Sequence, residues 1–238
     1  MNYFKQYGEM RTGTNYLKRL LEINYSDVTV YGSILGWKHG TYDTGNTIDD
    51  TSSHLEWLDR KTKNNIVYSV DNIPLVKHDY DTLKSAIDKL KYIFSIKRPV
   101  PFVLSFKKFR LPNRPLTKQI VLNLCKRYND KYKNWMQMYE LNGGTFVSYE
   151  SLLHDYKHVL FNLEIKYKLV RLNEKLRDEK RPVKASTDVG LIIDRKSTFN
   201  KDYYLHELYL DDISNEHVNI INDNIDHDLV DLIYKLSI

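Results

Sequence analysis

A single cysteine, Cys125, is all the thiol chemistry this 238-residue chain holds. No disulfide can close within it, which excludes a disulfide-built scaffold and points to a reducing compartment. Cys125 lies in the apolar stretch IVLNLCKRY, where the expectation is a buried core thiol and not a nucleophile. Long apolar runs are missing too: none approaches the ~18 residues of a membrane span. The first residues, MNYFKQYGEM, lack an apolar signal-peptide core. These absences give the expectation of no membrane and a cytoplasmic protein, in the host cytoplasm if the source is viral. The abundance of Asn, Lys, Ile and Tyr is what an A+T-rich bacterial or viral genome encodes. Prolines are few, six against nineteen tyrosines, which argues against disorder. Nor is charge of one sign in large excess. The 36 Lys and Arg against 31 Asp and Glu leave +5, which suits an anionic ligand but is too mild to imply nucleic acid.

What is present is an ordinary globular balance, on a length that fills one sizeable α/β domain. We read residues 1–238 as a single domain with a polar insertion at about 40–64, rich in Asp, Thr, Ser and Asn. YFKQYGE alternates aromatic and polar residues and predicts a strand. Residues 14–22 then set Tyr16, Leu17, Leu20 and Leu21 on one helical face. DVTVYGSIL (27–35) predicts a second strand, NIVYSV another, 79–90 a helix and KYIFSI (91–96) a central strand. Residues 116–140 predict a long helix, with Leu124, Tyr128, Tyr132, Trp135 and Tyr139 at helical spacing. GGTFVSYESLL reads as turn, strand and helix. KLRDEKRPVK (175–184) is a charged breaker, and HDLVDLIYKL a closing amphipathic helix with Leu229, Leu232, Ile233 and Leu236 on its apolar face. Strands alternating with helices predict an α/β fold, a central parallel sheet with helices on both faces.

Two short stretches carry the chemistry. In GEMRTGTNYLKRLL, Gly8 and Gly13 lie five apart between a strand and a helix, the spacing of a phosphate-binding loop. Backbone N–H groups at such a helix start cradle an oxyanion, aided by the helix dipole. The lysine that follows the second glycine in nucleotide hydrolases is absent. Thr14 and Asn15 stand there, and Arg11 lies inside the loop. No Mg²⁺-binding carboxylate is evident, so the loop fits an anion of lower charge. A sulfuryl donor answers that description. In IKRPVPFVLSFKKF, Lys97 and Arg98 follow the central strand, Pro99 opens a helix, and Ser105 comes two turns on. A cation and a hydroxyl at the switch region of an open sheet suit a second phosphate.

Together these stretches resemble the sulfotransferase family that uses 3′-phosphoadenosine-5′-phosphosulfate, in its short bacterial and viral form. MRTGTNYL is similar to the family's 5′-phosphosulfate loop. The resemblance implies that Arg11 is the loop cation, and that Thr12, Gly13, Thr14 and Asn15 cradle the anion. KRPVPFVLS resembles the 3′-phosphate segment, with Lys97 in the arginine place and Ser105 in the serine place. YNDKYKNWMQMYELNGGTFVSYESLL is similar to the segment ending in the Arg-Tyr-Glu-Asp-Leu box, with Ser148 in place of its arginine. FNKDYYLHELYL resembles the tyrosine-rich C-terminal part, and the basic pair Arg195 and Lys196 just before it resembles the loop that closes over the 3′-phosphate. The implied activity is sulfuryl transfer from that co-substrate to a hydroxyl, with a carbohydrate expected as acceptor and no metal.

Removing the acceptor's proton needs a base. LGWKHG resembles the family's Lys-His segment and makes His39 the first candidate, with His78 in LVKHDYD the alternative. His154 and His158 are spaced i and i+4 on a predicted helix, but no third ligand is in register, and no metal site is expected. Two rival functions stay open. One is a phosphate-loop nucleotide kinase or NTPase; the other is a non-catalytic module binding an anion or nucleic acid. Oligomeric state is not legible.

Overall fold

Strand β1 (Asn2–Gly8) is buried along almost its whole length, Lys5 and Gln6 included. A strand covered on both faces belongs inside a parallel sheet. The computed structural model describes residues 1–32, 34–41, 80–87, 89–178 and 201–238. Nearly all of the polar insertion, NIVYSV, His78, Arg195 and Lys196 lie outside the described residues.

Strand β1 pairs in parallel with β2 (Val28–Tyr31) on one side and with β3 (Lys91–Ile96) on the other. Strand β3 in turn pairs in parallel with β4 (Thr145–Ser148), giving the order β2-β1-β3-β4. Strand periodicity sends alternate residues to opposite faces. Phe4, Val30, Ile93 and Val147 meet helix α1 (Thr14–Asn24), through Leu17, Leu20 and Leu21, and α5 (Tyr149–Tyr167), through Leu152, Val159, Leu160 and Leu163. Tyr7, Tyr31, Phe94 and Phe146 face the other layer. It receives α2 (Tyr80–Ile87), α3 (Pro99–Arg110), α4 (Lys118–Asn142), α7 (Asn215–Asn224) and α8 (His227–Leu236). A short α6 (Lys201–Leu205) and a 3₁₀ turn (Leu208–Asp212) precede α7. The α/β class, the parallel sheet and its two helical layers are as the sequence predicts. Among the described residues, no helix is long and apolar enough to cross a membrane.

The aromatic stripe of α4 is as read: Leu124, Tyr128, Tyr132 and Trp135 are buried. Fully burying a large apolar side chain contributes about 1.5–3 kcal/mol. Their polar tips are satisfied at the sheet's C-terminal edge. Tyr128 Oη donates to the Lys97 carbonyl at 2.9 Å, Tyr132 Oη to the Ser95 carbonyl at 3.0 Å, and Trp135 Nε1 to the Gly40 carbonyl at 3.1 Å. The helix thus fixes where β3 ends. Cys125 is a buried core thiol, and burial raises its pKa to about 11.

Three local expectations need correction. Strand β2 ends at Tyr31, short of the predicted Leu35. Helix α8 has the expected bounds, but it turns Val230 and Ile233 inward and leaves Leu232 exposed. Helix α5 is broken at Asp155 (φ −149°, ψ 84°), whose carboxylate accepts from the N–H groups of Lys157 and His158 and caps a second helical segment. His154 and His158 therefore lie on either side of the break, and both border one cavity. Among the described residues no cluster of His, Cys, Asp and Glu can hold a metal ion.

Candidate functional site

The chain leaves β1 toward β2 on one side, while β3 lies on the other. This is the switch point at which open parallel sheets bind ligands, beyond the strands' C-terminal ends. The glycine loop closes that crevice. A Cβ on Gly8 would lie 2.7 Å from Thr14 Cγ2 and 2.8 Å from Ser95 Cβ, so only glycine lets strand, loop and helix pack this closely. Arg11 (φ 69°) and Gly13 (φ 80°) both take the left-handed conformation. Thr12 turns its N–H and its hydroxyl to the Glu9 carbonyl, at 3.3 and 2.7 Å, and so closes the turn.

Helix α1 starts without a cap. Gly13 offers no side chain, and among the described residues the N–H groups of Thr14, Asn15 and Tyr16 meet no acceptor. By contrast α4, α5, α7 and α8 are capped by Thr117, Ser148, Ser214 and Asp226. Uncapped N–H groups behind a glycine loop are an oxyanion cradle. Ser95, in register with Gly8, has a buried hydroxyl with no partner among the described residues.

Gly13 is the residue on which this geometry depends most. Its substitution by alanine would place Cβ 2.6 Å from Tyr149 Cδ2, on a backbone that disfavours any side chain. We expect Gly13→Ala to lower unfolding stability by roughly 1–3 kcal/mol, read from the urea midpoint. An unchanged midpoint would mean that the loop relaxes freely and is not held in this shape.

Lys97, just past β3, is 1% exposed. Its Nζ donates to Ser105 Oγ at 3.1 Å and lies 3.4 Å from the Arg11 carbonyl. The rings of Tyr149 and Tyr204 cover it, with centroids at 4.6 and 4.2 Å. No carboxylate pairs with it among the described residues. Burial drives its pKa down, nearby Glu150 pulls it up and Arg11 pushes it down further, to about 7. A buried ammonium without a counter-ion is costly, and an anion would supply what is missing. Ser105 meanwhile donates to the Pro101 carbonyl at 2.7 Å.

His39 and Lys38 are clamped to Gly8. The Gly8 N–H donates to the Lys38 carbonyl at 2.9 Å, and His39 Nδ1 meets the Gly8 carbonyl at 2.6 Å. A carbonyl only accepts, so Nδ1 carries the proton and Nε2 keeps its lone pair. Burial lowers the His39 pKa; the Gly8 bond opposes this, and the charges of Lys38, Lys131 and Arg127 add to the lowering, to about 3. Lys38 Nζ, itself buried, donates to Asn15 Oδ1 in the first turn of α1. The Arg11 guanidinium lies outward, 5.4 Å from the centre of the Phe109 ring.

A buried ion cluster holds this assembly from below, and the sequence reading missed it. Arg127 grips the fully buried Glu9 with both prongs, Nε to Oε2 at 2.9 Å and Nη2 to Oε1 at 2.8 Å. Lys131 donates to the same carboxylate and to the His39 carbonyl. Breaking such a pair by removing one partner costs about 3–5 kcal/mol. Glu9 is therefore an anchor between loop, His39 segment and α4, with both carboxylate oxygens engaged. Arg127 and Lys131 are spaced i and i+4 beside the buried Tyr128 and Tyr132, and that pairing was the available signal.

The structure thus brings Arg11, Thr12, Gly13, Thr14, Asn15, His39, Lys97 and Ser105 to one edge of the sheet. Beside them lies a cavity of about 320 Å³, bordered by Arg98, Glu150, His154, Asp155 and Tyr204. Comparison of the chain with protein-family models, with curated proteins and with solved structures gives no match.

Proposed function

We propose that this protein is a sulfotransferase, moving a sulfuryl group from 3′-phosphoadenosine-5′-phosphosulfate to an acceptor hydroxyl. One observation carries the reading: the buried Lys97, without a carboxylate partner among the described residues, meets Ser105 next to an uncapped glycine-loop helix, so two anion-ready sites adjoin at the switch of the sheet. The cradle of Gly13, Thr14 and Asn15 takes the 5′-phosphosulfate, and Lys97 with Ser105 the 3′-phosphate. The adjoining cavity, which sets Glu150 and Asp155 against Arg98, His154 and His158 beside the Tyr204 ring, has the size of a small-ligand pocket and takes the base. The acceptor oxygen attacks sulfur as the bond from sulfur to the phosphate oxygen breaks. His39 Nε2 takes the acceptor's proton. The leaving phosphate oxygen gains negative charge, which preorganised N–H groups and cations stabilise. A carbohydrate acceptor and a cytoplasmic setting complete the proposal.

The test is a thermal-shift comparison. Adenosine 3′,5′-bisphosphate without a divalent ion is expected to stabilise the fold by roughly 2.7 kcal/mol at 100 times its dissociation constant. Ser105→Ala and Lys97→Ala should weaken the bisphosphate far more than adenosine 5′-monophosphate, since charge-assisted hydrogen bonds contribute about 1.5–3 kcal/mol. Equal or better stabilisation by ATP–Mg²⁺ would favour a kinase. An equal loss for both nucleotides in the variants would show damage to the fold, not to recognition.

A further inference from the structure

From residue 89 to residue 129 the chain carries eleven Lys and Arg and no Asp or Glu. The remainder has 25 cations against 31 acids, a charge of −6, so the mild net charge hides a strongly polarised molecule. Nine of the eleven cations run from Lys97 to Arg127. Lys97 belongs to the site already described. Arg98 pairs with Glu207, Lys126 with Asp130 and Arg127 with Glu9. The other five are Lys107, Lys108 and Arg110 at the end of α3, and Arg114 and Lys118 beyond it. Among the described residues none of these five has a carboxylate partner.

This basic strip is continuous with the glycine loop. The guanidiniums of Arg110 and Arg11 each lie 5.4 Å from the centre of the same Phe109 ring. Arg110 Nε also donates to Met10 Sδ at 3.1 Å. Lys108, Arg110, Arg114 and Lys118 are exposed, as is Arg11. Exposed cations without a carboxylate partner among the described residues, close in sequence and joined to the glycine loop through Arg110 and the Phe109 ring, attract and retain a chain of negative charges.

We propose that this strip binds the acceptor, and that the acceptor is a polyanionic polysaccharide, with a carboxylate or sulfate on several successive sugars. The inference rests on the sulfuryl-transfer reading for the word acceptor, while the binding itself does not. A nucleic acid fits the same charges less well. Single strands are held by stacking successive bases on a series of open rings. In the strip the one ring, Phe109, already has two guanidiniums over it. Beside His39, where an acceptor hydroxyl must arrive, a single half-exposed indole, Trp37, offers a platform for one sugar ring.

The test uses the full chain without any donor, so its outcome is separate from that of the bisphosphate experiment. Binding of an oligogalacturonate is compared with that of its methyl ester and of a single-stranded DNA of similar length, between about 50 and 200 mM salt. The acid oligomer is expected to bind with an affinity that falls linearly with salt on logarithmic axes, and the ester not to bind. Replacing Lys108, Arg114 and Lys118 together by alanine should weaken the acid oligomer on the order of 10–100-fold, without changing stabilisation by the bisphosphate. Equal binding of acid and ester, or an unchanged affinity in the triple variant, overturns the proposal. DNA binding tighter than the acid oligomer, with the same loss in the triple variant, replaces it by a nucleic-acid surface.

Discussion

His39→Ala is expected to lower turnover by roughly 100–10,000-fold and to leave the affinity for adenosine 3′,5′-bisphosphate nearly intact. The ring is neutral, its Nδ1–H is fixed on the Gly8 carbonyl, and Nε2 is the one atom free to take a proton. The alanine variant also loses the bond to Gly8, so His39→Asn is the informative companion. Its side-chain amide can still donate to that carbonyl, but it has no basic nitrogen. Turnover as low as in the alanine variant identifies a base. Turnover close to the wild type would show that the imidazole only braces the loop. His78→Ala, measured in parallel as bisphosphate release, decides between the two histidines read from the sequence.

The pH dependence follows from the same environment. In the unfolded chain a histidine titrates near 6.5, and in the folded chain His39 is held down to about 3. Between these values the unfolded chain binds more protons. The stability tied to neutral His39 is therefore full above pH 6.5 and is lost as pH falls toward 3. The base form also persists well below pH 6.5 in the free protein. An anionic donor beside the ring favours its protonated form and raises the pKa again. The acid limb of kcat is thus expected to lie higher than that of kcat/KM, which reports the free protein. Coincident limbs near 6.5 would mean that His39 is not desolvated in solution.

What could be read from the sequence follows a physical division. Local periodicity fixes α1, α4 and α8, because a helical face repeats within the stretch itself. Lys97 and Ser105 could be read together because only eight residues of one strand-to-helix turn separate them, and in the structure they meet at 3.1 Å. Glu9 and Arg127 are 118 residues apart, and no local pattern links them. The break in α5 was hidden for another reason. Asp155 stands in a sequence with good helical periodicity, yet its carboxylate satisfies two backbone N–H groups and stops the helix by competing for them. Helix α7 holds a single fully buried side chain, Ile221, and so shows little apolar periodicity.

In the proposed reaction Arg11 and Lys38 are the two candidates for neutralising the leaving phosphate oxygen, and their substitution should separate them. The resemblance to the sulfotransferase loop points to Arg11. The structure gives Arg11 an exposed head over Phe109, while Lys38 is buried and held by Asn15 in the first turn of α1, next to the uncapped N–H groups. A charge already in place costs no reorganisation when the transition state forms, and removing one such donor costs on the order of 100–1,000-fold in kcat. Lys38→Met, which keeps the chain's bulk, is expected to fall by that factor with little change in KM, and Lys38→Arg to recover part of the loss. Arg11→Ala should lose only about tenfold, because an exposed cation is screened and must first leave the Phe109 ring. Thermal melts of each variant separate lost charge from lost fold, since the Lys38 carbonyl, not its amine, holds Gly8. If Arg11→Ala loses more than Lys38→Met, the guanidinium swings inward when donor binds, and the role the loop motif implies returns to Arg11.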